Sequence, residues 1–377
     1  MKHEEKIARI RLIRTQNIGP VTTSILLKRY KSGVEVIKQL PDIAKRSRAS
    51  VTIATADAVE KELEAVTKSG GVMLVKGEEG YPAQLARFDD APVCLSCYGH
   101  THLFQKKAIS IVGARNASAN ALALTEKLAN NLGTAGFVII SGLARGIDAA
   151  AHAGALAHGT IGIMAGGIDQ MYPRENVKLY EKMRTEGLVA SEMPWGMQPF
   201  AQHFPIRNRI IASLCAGLLV TEASNRSGSL ITAREASERG MEVMAIPGTP
   251  LDPRAAGCNA LIAQGAALIQ TADDIIQLMQ QNEGKIPDPQ PPLEFGFDGE
   301  DDGDTPSTPS EIEASKAELR DLLSYQATDF AELSKRSSFS ARIMGAALFE
   351  MELAGEITRH HGNRISLIYR DEDEGAK

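Results

Sequence analysis

Long apolar runs are missing from this chain of 377 residues, and no stretch approaches the roughly 18 residues that a membrane span needs. The opening residues, Met1 to Ile10, are charged and lack an apolar core. No secretory signal is therefore expected, and the reading is of a cytoplasmic protein. Cysteine is scarce: four in all do not make a disulfide framework at this length. Cys94, Cys97, His100 and His102 have a spacing that could supply four zinc ligands. No second Cys-x-x-Cys exists, and residues three apart on a strand point to opposite faces, so apolar strand cysteines are favoured. Three signatures are absent as well. There is no Gly-x-Gly-x-x-Gly turn with an acid closing the second strand, no Gly-x-x-x-x-Gly-Lys-Ser/Thr loop and no Gly-x-Ser-x-Gly elbow. Nicotinamide and ATP chemistry are thereby set aside, no nucleophile–base pair stands out, and no cofactor is expected.

What is present is 43 % hydrophobic and 23 % charged residues, the make-up of an ordinary globular protein, in a length that suits two or three domains. The net charge of −6 is unevenly spread. Residues 1–75 hold 14 Lys and Arg against 8 Asp and Glu. That balance suits either a polyanion partner or a solvated helical surface.

Residues 1–70 read as a helical domain. Ile7, Ile10, Leu12 and Ile13 make an apolar stripe, and the turn Asn17-Ile18-Gly19-Pro20 leads into a second helix. The arrangement resembles a helix–hairpin–helix. Residues 71–282 alternate near-continuous apolar strands with helices, the pattern of a parallel sheet covered on both faces. The expected fold is α/β, a Rossmann-like doubly wound sheet, with an N-terminal extension whose strands are Gly71–Val75 and Val93–Tyr98. Residues 283–310 are Pro, Asp, Glu and Gly with almost no apolar content, which predicts a disordered acidic linker. Residues 311–370 read as three helices and a hairpin, a winged helix. Its third helix is mostly apolar, carries Glu350 and Glu352, and offers only Arg342 to a base edge. A protein-contact or regulatory role is favoured there over DNA reading.

The chemistry is expected in the loops that follow the strands. Ile109–Val112 runs into Gly113-Ala114-Arg115-Asn116-Ala117-Ser118, and Phe137–Ile140 runs into Ser141-Gly142-Leu143-Ala144-Arg145-Gly146-Ile147-Asp148. Strand-end loops facing helix N-termini are where α/β proteins hold anions. Arg115 and Arg145 can fork onto phosphate oxygens, and Ser118 is a good N-cap. Ala165-Gly166-Gly167 is a third loop and Asn225 to Ser229 a fourth. Arg207-Asn208-Arg209 is placed at a helix start, where cations are disfavoured unless an anion sits nearby. Four such loops on one rim suit a run of phosphates.

The segments IVGARNAS, ISGLARGIDAAAH, AGGIDQMYPREN, SEMPWG, HFPIRNRIIASL and EASNRSGSLITAREA closely resemble the DNA-processing protein A family (DprA, also called Smf). GYPAQLARFDDAP and LFEMELAGEITRHHGNRISL resemble its flanking segments, so the likeness covers nearly the whole chain. The resemblance implies a non-enzymatic protein that binds single-stranded DNA, protects it in natural transformation and loads the RecA recombinase. It also implies a homodimer made through the Rossmann-like domain, for which Leu261, Ile262 and Leu268 are candidates. Carried over by position, the DNA contacts it implies are Gly113 and Arg115, then Ser141, Gly142, Gly146 and Asp148. Arg207, Asn208 and Arg209 follow, then Ser227, Gly228 and Ser229 with Thr232 behind them. Arg145, Gly166 and Gly167 join them on the rim. Two departures stand out. Ala114 takes a place where many members have Ser or Thr, and no Lys or Arg stands in Met197 to His203, just before Phe204. Phe200 or Trp195 offers a ring for a base, or packs a loop. The competing class is a nucleotide phosphoribohydrolase, whose phosphate-and-acid motif Thr232-Ala233-Arg234-Glu235 partly echoes; the Pro-Gly-Gly that should precede it is Asn225-Arg226-Ser227.

Overall fold

The computed structural model describes residues 1–46, 51–282 and 308–368, so most of the expected acidic linker, residues 283–307, lies outside the described residues. The chain divides into two compact units. One joins residues 1–60 and 88–93 with the C-terminal module, and the other holds residues 61–87 and 94–289.

Four helices open the chain: α1 (His3–Arg14), α2 (Pro20–Tyr30), α3 (Gly33–Arg46) and α4 (Ala56–Lys68). Pro20 begins α2, where its missing N–H would have had no partner in any case. The second unit then runs β1 (Val72–Val75), α5 (Ala83–Ala86), β2 (Cys94–Gly99), β3 (Ala108–Val112), α6 (Ala119–Thr134), β4 (Val138–Ser141) and α7 (Ile147–Ala155). It continues through β5 (Thr160–Ile163), α8 (Val177–Glu186), β6 (Leu188–Ser191), α9 (His203–Ser213), β7 (Gly217–Val220) and α10 (Ser229–Glu238). It closes with β8 (Glu242–Ala245), α11 (Ala256–Ala263), β9 (Ala267–Leu268) and α12 (Ala272–Gln281).

The nine strands form one sheet in the order β1-β2-β6-β5-β4-β3-β7-β8-β9. From β6 to β9 all neighbours are parallel, whereas β1 and β2 form an antiparallel edge. The chain winds outward from β3 to β6, returns to β7 and winds the other way. The topological switch therefore lies between β3 and β7, at the strand ends where such sheets hold ligands.

Alternation along β3 divides the two faces. Ile109 and Ile111 pack with Leu128 and Leu132 of α6, Ala151 and Ala155 of α7 and Ile275 of α12 in one buried cluster. Ser110, between them, points the other way, and its hydroxyl donates to the Ile211 carbonyl of α9 at 2.8 Å. The small residues of α7 let it lie tight on α6: a Cβ at Gly154 would overlap the Glu126 carbonyl.

Two helix starts differ from the expectation. α9 begins at His203, not at Asn208, because Pro205 falls in its first turn, where proline is tolerated. The first helix of the C-terminal module, α13 (Pro309–Leu322), begins two residues before the module's expected start at 311. Thr308, inside the stretch expected to be linker, makes a capping box there with Glu311. The module continues with β10 (Thr328–Asp329), α14 (Phe330–Arg336), α15 (Ala341–Leu353), β11 (Ile357–His360) and β12 (Arg364–Leu367), its strands ordered β10-β12-β11. Leu319, Phe330, Met344, Leu348 and Ile365 fill its core. The helical domain and the winged helix, two modules by sequence, belong to one unit. Leu12, Ile18, Leu26 and Leu40 share a buried cluster with Phe349 and Leu353.

Candidate functional site

The first two loops are built as one piece. Gly146 holds a left-handed φ of 76°, and any Cβ there would overlap the Ala114 carbonyl, so only glycine lets the loops cross. The Ile147 amide then donates to that same carbonyl at 3.2 Å. Leu143 is also left-handed, at φ 58°. Asn176 sustains it from α8's start, donating from Nδ2 to the carbonyls of Leu143 and Ala144 at 2.9 and 3.0 Å.

Several of the loop amides are bonded within the protein. Asp148 Oδ2 accepts from the amides of Gly142 at 3.1 Å and Ala144 at 3.3 Å. The Ala114 amide donates to the Glu222 carbonyl at 2.7 Å, and the Gly167 amide donates to the Met197 carbonyl at 2.7 Å. Ser118 caps α6 as expected, accepting from the Ala121 amide. The anion at that N-terminus is the chain's own: Glu222 accepts from the Ser118 amide at 3.0 Å and from its hydroxyl at 2.6 Å. Glu222 thus fills the crevice at the switch point, and no sequence signal marked it. Gly113 and Gly166 are small for packing reasons. A Cβ would crowd Ile147 at Gly113, and the Met197 carbonyl and Pro199 at Gly166.

A small cleft lies open between the first three loops and α9. Arg115, Gly142, Arg145, Gly166, Tyr172, Phe204 and Arg207 line it, with Gln170 and several apolar residues. Arg115 and Arg145 are exposed. Arg145 is 3.5 Å from Glu175, a solvated pair that a phosphate can displace at small cost. Arg207, at the second turn of α9, is buried beneath them. Its Nη1 donates to the Ile163 carbonyl at 3.1 Å, and its Nε has no partner. Gly142 makes room for this guanidinium, since a Cβ there would coincide with it. Burial and the Arg115 charge bring Arg207 down to about 10, with Asp148 opposing, so it stays a cation at neutral pH. Burial pushes the Asp148 carboxyl up, against the pull of Arg207 and the loop amides. Arg207 was expected at an uncompensated helix start; it sits instead inside the fold, near an acid.

Phe204 completes the cleft. Its ring lies 4.9 Å from the Arg115 guanidinium carbon and 5.9 Å from that of Arg207, with Tyr172 edge-on at 5.8 Å. The rings at the cleft are Phe204 and Tyr172, whereas the sequence points to Phe200 or Trp195. Phe200 is exposed and packs edge-on against His203, and the Trp195 amide is bonded to Glu62.

Other expected residues are not brought to the cleft. Arg209 is paired with Glu192, both largely buried, and Asn208 sits half-buried on α9. Ser141 is buried and its hydroxyl donates to the Ile111 carbonyl at 2.6 Å. Ser227 and Ser229 share a 2.7 Å hydrogen bond, Gly228 has open space around it and Thr232 is buried on α10. None of the four lines the cleft. Glu235, the acid of the enzyme reading, is bonded to Arg239 at 2.9 Å.

The chain matches three family models: DNA recombination-mediator protein A over residues 72–280, the DprA-like N-terminal HHH domain over 3–65 and the DprA winged helix domain over 303–363. It is 43 % identical to the DNA processing protein DprA of Streptococcus pneumoniae, over 53 % of this chain and 71 % of that one. It is 36 % identical to the DprA of Bacillus subtilis, over 71 % of this chain and 94 % of that one. A solved structure of DNA processing protein A from Helicobacter pylori, described for its single-stranded DNA binding mode, superposes with a TM-score of 0.52. The identity is 28 %, over 56 % of this chain and 96 % of that one.

Proposed function

The chain belongs to the DNA recombination-mediator protein A family, and on that premise we propose that it binds single-stranded DNA by its backbone, without sequence preference. The observation that carries the reading is the stack of Arg115, Phe204 and Arg207 in one cleft. Two forked cations meet phosphate oxygens. The Phe204 ring, with both guanidinium groups over it, holds those cations in place, and backbone phosphates are the same whatever the base. The residues lining the cleft include no carboxylate, histidine, serine or cysteine. That supports a role in holding DNA, with the Tyr172 hydroxyl as the one titratable oxygen among the lining side chains. Protection of the strand, loading of a RecA-type recombinase and homodimer formation through the Rossmann-like domain are part of the same proposal and rest on the family resemblance.

The test is a shift assay with labelled single-stranded oligonucleotides of unrelated sequence. Affinities should agree across sequences and fall steeply with salt. Arg115→Ala should weaken all of them alike, by about tenfold, and flatten the log–log salt slope by about one. An unchanged affinity rules the cleft out. Release of ribose phosphate from a nucleoside monophosphate would favour the enzyme reading instead.

A further inference from the structure

In three-helix variants of the helix-turn-helix the third helix is the part that enters the major groove. In this chain α15 is turned inward along most of its length. Met344, Leu348 and Met351 fill the module's own core, while Phe349 and Leu353 join Leu12, Ile18 and Leu26 in the cluster of the N-terminal helices. Polar contacts fix the register. Asn17 Nδ2 donates to the Leu353 carbonyl at 3.0 Å. The Thr22 hydroxyl donates to Glu352, whose other oxygen accepts from Arg359 Nε at 2.9 Å. Thr22 and Glu352 are buried, as is the Arg359 side chain. A carboxylate buried in this way is costly if either partner leaves, so the contact demands one geometry.

The turn of the hairpin is held too. His361, between β11 and β12, lies edge-on to Phe88 with ring centres 5.4 Å apart, and it shares a 2.5 Å hydrogen bond with Asp89. These partners come from the 88–93 segment of the same unit. The two acids that made α15 a poor groove reader are accounted for as well. Glu352 bonds Thr22 and Arg359, and Glu350 pairs with the buried Lys316.

We propose that the winged helix is an internal docking module whose partner is the α1–α2 hairpin of its own chain, and not a reader of DNA. This stands independently of whether the cleft binds single-stranded DNA.

The test keeps every residue in solution. A protease site placed among residues 290–300 of the full chain is cut. The C-terminal piece is expected to co-elute with the remainder, and to separate from it when Phe349→Asp is introduced. Asn17→Ala with Thr22→Val weakens the contact from the N-terminal side while leaving the winged helix intact. The dissociation constant of the nicked pieces should then rise about tenfold. Separation of the nicked wild-type pieces overturns the proposal, and so does an unchanged constant with the Asn17/Thr22 pair. Arg342→Ala in the intact chain supplies the other arm. Duplex affinity should be unaltered, and a clear loss would restore α15 as a DNA reader.

Discussion

Arg207 is a cation stored below the surface, with one bond to a backbone carbonyl and a neighbouring acid to keep it charged. Gly142 is the residue that permits this. Gly142→Ala should leave the fold intact but push the guanidinium off the Ile163 carbonyl. The expected outcome is a several-fold loss of single-strand affinity together with a lower melting temperature, since the buried guanidinium loses its hydrogen bond. Gly146→Ala is the contrasting case. Its positive φ and its contact with the Ala114 backbone leave a side chain nowhere to go, so it should cost about 2 kcal/mol or more, read as a drop in melting temperature. His152 supplies a pH dependence. The Thr160 hydroxyl donates to the Ile139 carbonyl, so it accepts from His152 Nδ1–H at 2.7 Å. Burial and the Arg207 charge hold this imidazole down to about 3 from its usual 6.5, so it is neutral in the fold at neutral pH. The unfolded chain takes up the proton first. Stability is therefore complete above pH ~6.5 and falls as pH drops toward 3, by at most ~1.4 kcal/mol per unit. Asp148, raised by burial, works the opposite way at the acid end. Urea midpoints between pH 7 and 5 should decline for the wild type and be flatter for His152→Gln.

At the scale of elements, α6 shows how a strand-end loop is completed by a partner from far along the chain. Ser118 caps the helix, and Glu222, 104 residues away, supplies the negative charge that its N-terminus favours. Ser118→Ala removes the cap and orphans part of that carboxylate. A loss of about 1–2 kcal/mol is expected by urea unfolding. The same pairing explains what could be read from sequence. β3 and β4 were legible because Ile109–Val112 and Val138–Ile140 are short apolar runs ended by glycine-bearing turns, a local signal. Arg115 and Arg145 were legible because exposed loop arginines have few other uses. Glu222 and Phe204 were not, since their roles depend on which strand lies beside β3 and on where α9 starts. Pro205 disguised that start. The sequence marks Gly113, Gly142, Gly146 and Gly166 for the approach of a ligand, whereas in the structure each admits a neighbouring protein group, and the amides of Gly142, Ala144, Ala114 and Gly167 are bonded internally.

For the molecule as a whole, the chain carries a formal charge of −6 and still presents Arg115, Arg145 and Arg207 in one cleft. A binding site of that kind acts at short range, because the average field of the protein opposes a polyanion. Association should therefore be slowed by low salt less than its affinity is raised by it. Stopped-flow binding across a salt series should show the dependence mainly in the dissociation rate.

The core shared by the two ends of the chain has a further consequence, for biosynthesis. Asn17 and Leu353 are 336 residues apart in sequence. On a ribosome the first three helices emerge long before α15 exists, with Ile18 and Leu26 lacking their final cover. The central sheet can fold as soon as its own strands are out, since domains generally fold as units in order of synthesis. The N-terminal helices gain that cover only once α15 has emerged. A long interval of exposed apolar surface is thereby built into every round of translation, and loop closure across the whole chain makes this the slow, high-contact-order step of folding.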